Sequence, residues 1–384
     1  MRIAINAISA KAGGARTYLL NLARVLPKLE PREYLLFVPA SAAADLRALP
    51  GNFCVRHDRW AEGSYAGRLW WEQYTLPRQL VVWGADVLVS VGNFCPLRCP
   101  VPVVLLSRNP LYFTPRFFQD LLQRGHYLWA VRHLAMSRLA LWSARAARLT
   151  VTPTDAMGEM IRSAAGNRQP ALRTIPHGFE LWPSATRDWG GRPAFAPPYR
   201  FLVVSHYNYF RNFETVLRAF AHLRRASGDG QWRLLLTTEL RPGLRLGGYD
   251  TSSACRLVQE LGIQEIVTTL GAVAYDDLPR VYGSVHAVIC PAYAESFSHT
   301  VVEAMAMGVP VIASDIPVHR EVAGDAALFF SPLDPSELVE RCLRVTEDEA
   351  LRARLCAAGQ QRAQSFSWRR HFEDLLAAAE QIRQ

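Results

Sequence analysis

The stretch HAVICPAYAESFSHTVVEAMAMGVPVIASD, residues 286–315, decides the fold class of this chain. Its first six residues, HAVICP, are an apolar run that predicts a buried strand, and VPVIASD at its end predicts another. Between them, AYAES is a short polar loop, and residues 298–307 have the pattern of a helix. Ser298 suits a helix N-cap, and Gly308 suits a helix terminator. A strand, a helix and a second strand in this order predict one βαβ unit of a parallel sheet.

The same alternation of apolar runs and helix-like stretches continues in both directions. In the first half, strands are predicted at RIAINAI, YLLFVP, DVLVSV, VPVVLLS and RLTVTP, and helices at residues 16–29, 69–82, 117–146 and 154–163. In the second half, strands are predicted at RFLVVS, WRLLLTT, IVTTLG, HAVICP, PVIAS and AALFF. Because apolar strands alternate with helices, we expect an α/β protein whose parallel sheets are covered on both faces.

The alternation is interrupted once, at residues 179–199, where FELWPSATRDWGGRPAFAPPY is rich in Pro and Gly. We interpret this stretch as a linker with a hinge near residue 190. The predicted organisation is two doubly wound, Rossmann-like domains, residues 1–190 and 191–365, followed by a C-terminal helix at 366–384 that packs back on the first domain. Ligands of such sheets bind beyond the carboxyl ends of the strands, so the cleft between the domains is the expected site.

The composition is that of an ordered globular protein, with 384 residues of which half are hydrophobic and a fifth are charged. The N-terminal run MRIAINAISA is too short for a signal peptide, and no run reaches the ~18 apolar residues of a membrane span. The seven cysteines match no zinc ribbon or CxxC pair, and Cys95 and Cys99 are the closest two. We therefore expect a cytoplasmic protein without a disulfide framework.

The net charge of +9 is carried almost wholly by arginine. Two interpretations stay open: the excess reflects only a GC-rich genome, or it attracts an anionic membrane face or an anionic substrate. Between residues 116 and 148, arginines alternate with large aromatic side chains, which slightly favours peripheral membrane contact: Arg116, Arg124, Arg132, Arg138, Arg145 and Arg148. Binding to nucleic acid is not expected, because no nucleic-acid-binding module is apparent.

Two carboxylates mark the stretch at residues 286–315. Glu295 lies in the loop before the predicted helix, and Glu303 lies inside that helix. A helix start offers unpaired N–H groups and partial positive charge, which suit a diphosphate. Glu295 would then accept hydrogen bonds from sugar hydroxyls, and Glu303, roughly 5–10 Å further along the axis, would reach ribose hydroxyls. A Glu early in a helix is also often only a favourable partner of the helix dipole, so spacing alone leaves both interpretations open.

The run PAYAESFSHTVVEAMAMGVPVIASD resembles the E-x7-E signature of retaining glycosyltransferases with the GT-B fold, glycosyltransferase family 4. Three further segments are similar to this family: GDAALFFSPLDPSEL to its next strand and helix, RLWWEQYTLPRQL to a first-domain helix, and FSWRRHFEDLL to its C-terminal helix. The resemblance covers nearly the whole chain. It implies an acceptor-binding N-terminal domain and a donor-binding C-terminal domain.

By position, the resemblance implies catalytic roles for Glu295 and Arg211. Glu295 matches the first Glu of the signature, which contacts hydroxyls of the transferred sugar. Arg211, in SHYNYFRNFETVLRAF, matches a Lys that clamps the diphosphate, and its planar fork suits phosphate oxygens. Ser205 stands where the family usually has an Arg, so one cation of the clamp is missing. Without the resemblance, Arg211 would be interpreted as a surface residue before a helix.

The resemblance also implies the donor-binding residues. Glu303 matches the second Glu, which binds the ribose, and Val273, in TLGAV, matches the contact to the nucleobase. The sugar and diphosphate are expected to meet the segment that follows the first Glu: Ser296, Phe297, Ser298, His299 and Thr300. Gly13 and Gly14 match a Gly-rich loop near the donor phosphate and the acceptor, although a Gly pair alone is usually a tight turn.

One segment departs from the family pattern. Where the family often has a His–Asp pair, this chain has Ser107, Arg108 and Asn109 in SRNPLYF. Arg108 and Asn109 are candidates for contact with the sugar or the acceptor. His177, in TIPHGFE, is interpreted as structural.

The resemblance implies a retaining transferase that moves a hexose of the mannose, rhamnose or glucose type. The donor is a nucleotide diphosphate sugar, and the acceptor is a glycan or lipid-linked glycan of bacterial envelope synthesis. No cofactor or metal is expected, and the sequence has no Asp-x-Asp motif. Two other classes stay open. A nucleotide-sugar epimerase or NAD-dependent oxidoreductase is one, although AKAGGARTY lacks the G-x-G-x-x-G spacing of a dinucleotide site. A non-catalytic scaffold at the membrane is the other.

Overall fold

The computed structural model describes residues 1–11, 13–182, 193–228 and 230–383. The chain divides into two compact units. The first comprises Met1–Gly178 and Ser367–Gln384, and the second comprises Phe179–Phe366. The expected hinge near residue 190 and the expected boundary between residues 190 and 191 lie outside the described residues.

The sheet of the first unit has seven parallel strands within the described residues, in the order β3-β2-β1-β4-β5-β6-β7. The strands are β1 Arg2–Asn6, β2 Glu33–Phe37, β3 Phe53–Arg56, β4 Val87–Ser90, β5 Val103–Leu106, β6 Leu149–Thr152 and β7 Leu172–Thr174. The five strands predicted for this half are confirmed, whereas β3 and β7 were not predicted. Strand order reverses at β1, which pairs with both β2 and β4, and this is where doubly wound sheets bind ligands.

The helices of the first unit are α1 Gly13–Val25, α2 Ala40–Ala43, α3 Arg59–Gly63, α4 Tyr65–Trp70, α5 Leu76–Trp83, α6 Pro115–Gln123, α7 Tyr127–Ala146 and α8 Asp155–Ala165. A π-helical turn, Trp71–Thr75, joins α4 to α5, and 3-10 turns cover Leu26–Lys28 and Pro110–Phe113. The single helix predicted at residues 117–146 is wrong. It is two helices, separated at Gly125, whose φ of 75° is incompatible with a continuous helix.

The second unit has a parallel sheet of six strands among its described residues, in the order β12-β9-β8-β13-β14-β15. Its strands are β8 Tyr199–Val203, β9 Trp232–Leu236, β12 Val267–Thr269, β13 Ala287–Cys290, β14 Val311–Ser314 and β15 Ala327–Phe330, and a small antiparallel hairpin adds β10 Arg245–Leu246 and β11 Tyr249–Asp250. All six strands predicted for this half are confirmed. The central strands β13 and β14 are buried at every residue because helices cover both faces.

The helices of the second unit are α9 Phe213–Ser227, α10 Ser252–Glu260, α11 Leu278–Gly283, α12 His299–Ala306, α13 Pro317–Ala323, α14 Pro335–Glu347 and α15 Glu349–Ala363. Single 3-10 turns cover Tyr209–Arg211, Tyr275–Asp277 and Gly324–Ala326. The expected α/β fold with two doubly wound, parallel sheets is therefore confirmed.

The last helix, α16 Trp368–Arg383, belongs to the first unit. Its side chains Trp368, Phe372 and Leu375 are buried in the same apolar core as Ile3 and Ile5 of β1. Gly178 lies so close to the start of α16 that an added Cβ would be 2.0 Å from the Trp368 nitrogen. Only glycine fits at this position.

His177, interpreted as structural from the sequence, is buried, and its ring stacks on Trp368 at 5.8 Å. All seven cysteines are free thiols. Among the helices that the structure describes, none is both long enough and apolar enough to cross a membrane.

Candidate functional site

Arg211 lies at the end of a short turn that follows β8. Asn208 caps this turn, because its side-chain oxygen accepts a hydrogen bond from the Arg211 backbone N–H at 3.1 Å. The next residue, Asn212, has left-handed backbone with a φ of 54°, which asparagine tolerates better than most residues. Its side-chain amide donates to the Pro291 carbonyl at 3.2 Å and ties the turn to the loop after β13. Two asparagines therefore fix the place of Arg211.

Arg211 is paired directly with Glu295. Its Nη1 group donates to the Glu295 carboxylate, which is largely buried. Burial lowers the pKa of Arg211 to about 10, so the guanidinium stays charged at neutral pH. A backbone hydrogen bond of 3.0 Å from Tyr293 to Phe210 joins the two loops that carry the pair. The two predicted catalytic residues are thus in contact.

The helix after Glu295, α12, has Ser298 at its N-cap position. Ser298 stands at the predicted N-cap position, but the prediction that its side chain caps the helix is wrong. The hydroxyl makes no capping hydrogen bond, and the backbone is left-handed with a φ of 65°. Such a conformation costs a non-glycine residue about 1–2 kcal/mol. The preceding Phe297 is buried and packs its ring on Phe366 at 5.2 Å, which anchors the strained turn.

The start of α12 lies at the carboxyl edge of the sheet. The Thr300 hydroxyl donates to the carbonyl of Val204, which follows β8, at 3.4 Å. Ser296, His299 and Thr300 are only partly buried. Because the first N–H groups of a helix have no partner within it, this edge combines helix N–H groups, their partial positive charge and the Arg211 guanidinium.

Glu303 lies on the second turn of α12 and is buried. Its Oε2 atom accepts a hydrogen bond from the Tyr282 hydroxyl at 2.8 Å. Burial raises the pKa of the Glu303 carboxyl to about 7. Tyr282, on α11, is fully buried, and the sequence pattern did not single it out. In the sequence, Tyr282 was visible only as an aromatic residue in the helix that precedes β13.

Val273 follows β12 at the same edge of the sheet and is partly buried. Gly271, with a φ of 71°, turns the chain just before it. In the sheet, β9 lies between β12, which leads to Val273, and β8, which leads to Arg211. The predicted donor-binding residues of the second unit therefore follow three strands, β8, β12 and β13, whose carboxyl ends share one edge.

The other predicted residues belong to the first unit. Gly13 begins α1 with a φ of 57°, and a Cβ added to Gly13 or Gly14 would meet nothing within 4 Å. Arg108 follows β5, donates from Nη2 to the Gly14 carbonyl at 2.8 Å, and lies over the Tyr18 ring at 4.5 Å. Burial lowers the pKa of Arg108 to about 10, so it too stays charged. Arg108 is therefore joined to the glycine pair at the carboxyl edge of the first sheet.

Asn93, which follows β4, organises the segment that departs from the family pattern. Its side-chain oxygen accepts from the backbone N–H of Arg108 at 2.7 Å and of Asn109 at 3.1 Å. The Asn109 side chain is in turn used to cap the next 3-10 turn, through the N–H of Leu111. Sequence analysis missed Asn93, although the Gly-Asn pair directly after a buried strand was visible.

The second unit's arrangement can hold anionic and hydroxyl groups. A charged Arg beside a helix N-terminus suits a diphosphate, and buried carboxylates that keep acceptor capacity suit hydroxyl groups.

A family model described as Glycosyl transferases group 1 matches residues 192–362. Among curated relatives, the O-antigen chain mannosyltransferase B of Escherichia coli is 32% identical over 138 residues, which are 35% of this chain and 36% of the relative. The matched part thus spans about a third of that relative's length.

Solved structures match over the full length. Sucrose-phosphate synthase from Thermosynechococcus elongatus superposes with a TM-score of 0.75 at 18% identity, covering 100% of this chain and 99% of the other. Anabaena HepE in complex with UDP-glucose has a TM-score of 0.69 at 18% identity, with 98% and 100% covered. Identities this low show a shared fold. Residues 192–362 therefore match the group 1 glycosyltransferases, within a chain that has the GT-B fold.

Proposed function

We propose that this chain is a retaining glycosyltransferase that moves a hexose from a nucleotide diphosphate sugar to a glycan or lipid-linked glycan. The observation that carries the proposal is the Arg211–Glu295 pair just before the start of α12. The family match at residues 192–362 and the likeness to an O-antigen mannosyltransferase support it. The hexose is of the mannose, rhamnose or glucose type.

The chemistry that we propose needs no enzymic nucleophile. The acceptor hydroxyl attacks the anomeric carbon on the face from which the diphosphate leaves, and the leaving phosphate takes the acceptor proton. Arg211 and the N–H groups at Phe297, Ser298 and His299 stabilise the developing charge of the diphosphate. Glu295 holds the sugar by its hydroxyls. Because Arg211 supplies positive charge at this place, we propose that the reaction is independent of metals and cofactors.

The remaining residues are assigned to the donor and the acceptor. Glu303 accepts hydrogen bonds from the ribose, and Val273 contacts the nucleobase. Ser296 and Thr300 complete the segment around the sugar and diphosphate. In the first unit, Gly13 and Gly14 approach the donor phosphate or the acceptor. The contact of Arg108 with the Gly14 carbonyl supports a role for Arg108 and Asn109 in the same area.

The cellular setting that we propose is polysaccharide synthesis for the bacterial envelope, in the cytoplasm at the inner face of the plasma membrane. Exposed apolar side chains on α7 support membrane contact: Tyr127, Leu128, Val131 and Trp142. Arginines on the same helix, such as Arg132 and Arg138, would add attraction to anionic lipids.

Donor hydrolysis tests the proposal. The chain is incubated with UDP-glucose, GDP-mannose and dTDP-rhamnose in the presence of EDTA, and release of the nucleoside diphosphate is measured. We expect slow hydrolysis of one donor, loss of that activity in Glu295→Gln, and no change in Glu340→Gln, a glutamate with an exposed side chain on α14. If no donor is hydrolysed and no nucleoside diphosphate raises the melting temperature, the non-catalytic scaffold becomes the better interpretation.

A further inference from the structure

We infer that Tyr282 positions Glu303 to bind the ribose of the donor nucleotide. This inference rests on the proposed function and adds a positioning residue to it. Tyr282 does not touch the substrate in this account, and it acts only through the carboxylate of Glu303.

The first argument is geometric. Tyr282 is 0% exposed, and its hydroxyl donates to Glu303 Oε2 at 2.8 Å. This hydrogen bond occupies one carboxylate oxygen and stops the group from rotating. Glu303 keeps 7% of its surface exposed. Among the described residues, its carboxylate accepts a side-chain hydrogen bond at Oε2, from Tyr282. The Oε1 atom therefore keeps its acceptor capacity in a fixed direction.

The second argument concerns the cost of a buried carboxyl. The neighbours of Glu303 on α12 are buried and apolar: Val301, Val302, Ala304 and Met305. An apolar residue at position 303 would match these buried surroundings, whereas a carboxyl group loses its hydration there. A single tyrosine hydroxyl satisfies only part of its hydrogen-bonding capacity. Two adjacent ribose hydroxyls are donors that would complete it.

The third argument is the place of the tyrosine ring. The ring lies 6.0 Å from the ring of Trp182, which in turn lies 5.1 Å from the ring of Tyr275. Tyr275 comes two residues after Val273, the proposed contact to the nucleobase. Tyr282 thus joins the loop proposed for the base to the carboxylate proposed for the ribose. A phenylalanine at this position would keep the ring and lose only the hydroxyl.

The test compares nucleotides with and without ribose hydroxyls. Binding of UDP, GDP and dTDP, and of the 2′,3′-dideoxy analogues of UDP and GDP, is measured by calorimetry for the wild type, Tyr282→Phe, Glu303→Gln and the double variant. We expect the wild type to prefer the ribonucleotide of one base over its dideoxy analogue by about tenfold or more. In Tyr282→Phe this preference should fall towards one while affinity for the dideoxy analogue stays the same. The double variant should show the same preference as Glu303→Gln alone, because Tyr282 acts only through the carboxylate of Glu303.

Tyr207→Phe is the matched control, because Tyr207 is also buried in the second unit and its hydroxyl also donates to a carboxylate, that of Glu214, at 3.4 Å. This variant should keep the wild-type preference. An unchanged preference in Tyr282→Phe, with nucleotide binding intact, overturns the inference and leaves the proposed function standing. Equal loss of both nucleotides in Tyr282→Phe also overturns it, because a residue that only positions Glu303 for the ribose hydroxyls would leave binding of the dideoxy analogue unchanged. Binding of dTDP alone overturns the inference, because the sugar of dTDP lacks the 2′-hydroxyl that the inference requires. If the wild type binds none of UDP, GDP and dTDP, the proposed function itself fails.

Discussion

At the scale of single residues, Arg211 and Glu295 neutralise each other, and a bound diphosphate would compete with Glu295 for the same guanidinium. The pair is largely buried, so separating it without a replacement anion would leave two desolvated charges. In the function that we propose, the donor would provide the replacement, since its diphosphate would take Arg211 while its sugar hydroxyls would donate to Glu295. This exchange would couple binding of the diphosphate to binding of the sugar.

Replacing Arg211 tests this account. We expect Arg211→Ala to lower the rate of donor hydrolysis by about 10²–10³-fold, because it removes the cation that, in our proposal, stabilises the leaving diphosphate. Arg211→Lys should retain part of the rate, since Lys keeps the charge but lacks the planar fork. Rates are measured with the donor that the hydrolysis assay selects. Melting temperatures are measured alongside, because Arg211→Ala leaves Glu295 buried without its partner.

Arg218→Ala provides the control, because Arg218 is an exposed arginine on α9 of the same unit. It should hydrolyse the donor at the wild-type rate. Near-normal hydrolysis by Arg211→Ala, at a melting temperature close to that of the wild type, would contradict the assignment of Arg211.

The residues that match a family motif could be proposed from the sequence, and those that support them could not. Glu295, Glu303 and Arg211 were proposed because of the resemblance, and their roles stay predictions. Asn212 and Tyr282 act through contacts with residues 79 and 21 positions away, and such partners become known only when the chain is folded. The left-handed backbone of Ser298 was missed for the same reason.

At the scale of elements, the π-helical turn Trp71–Thr75 places a carboxyl group inside the first unit. Glu72, on this turn, is 4% exposed, and its Oε1 atom accepts from the side-chain amide of Asn6 at 3.2 Å. Asn6 is the last residue of β1. Burial raises the pKa of the Glu72 carboxyl to about 7, so the folded unit holds a proton that the unfolded chain releases at lower pH.

The stability of the first unit should therefore depend on pH through Glu72. The full contribution of this proton to the free energy of unfolding is present below about pH 4.5. As the pH rises through 7 the contribution is lost, and the free energy of unfolding falls by about 3 kcal/mol at most. Glu72→Gln has no carboxyl group to ionise, so the stability of this variant should fall less than that of the wild type between pH 5 and 7.5. The measurement is native-state hydrogen exchange of the β1 amides at both pH values.

Glu30→Gln serves as the comparison, because the Glu30 side chain is 86% exposed. It should show the wild-type dependence on pH. The same pH dependence in Glu72→Gln and wild type would mean that Glu72 is already ionised in the folded unit.

Elements with a strong apolar pattern were predictable, and weakly patterned ones were not. β3 and β7 were missed because they are short strands at the two edges of the sheet and each has exposed residues. A continuous apolar pattern is the signal of a strand covered on both faces, and an edge strand lacks it. The break at Gly125 was missed because apolar residues continue on both sides of it.

At the scale of the whole molecule, the first unit is made from two separate parts of the chain. Residues 1–178 provide its sheet and most of its helices, and α16 provides Trp368, Phe372, Leu375 and Leu376 to the core. The second unit is continuous in sequence. The two units therefore depend differently on α16.

Removing α16 should destabilise one unit alone. In a chain that ends at Phe366, we expect amides of β1 and β2 to lose protection against hydrogen exchange, because burial of several large apolar side chains is lost. Amides of β13 and β14 should keep their protection. A chain that ends at Ile382 is the control, since it loses the Arg383–Asp86 ion pair but keeps the buried face of α16. Full protection of β1 after the longer truncation would contradict this expectation.

The return of α16 to the first unit also orders events on the ribosome. Synthesis proceeds from the N-terminus, so residues 1–178 emerge well before α16, which supplies a part of their core. The second unit has its whole sequence available before that part exists, and it can reach its native state earlier. During this interval the nascent first unit exposes the apolar face that α16 will cover. A chaperone would find this face exposed during a defined interval, which ends when Trp368 to Leu376 leave the ribosome.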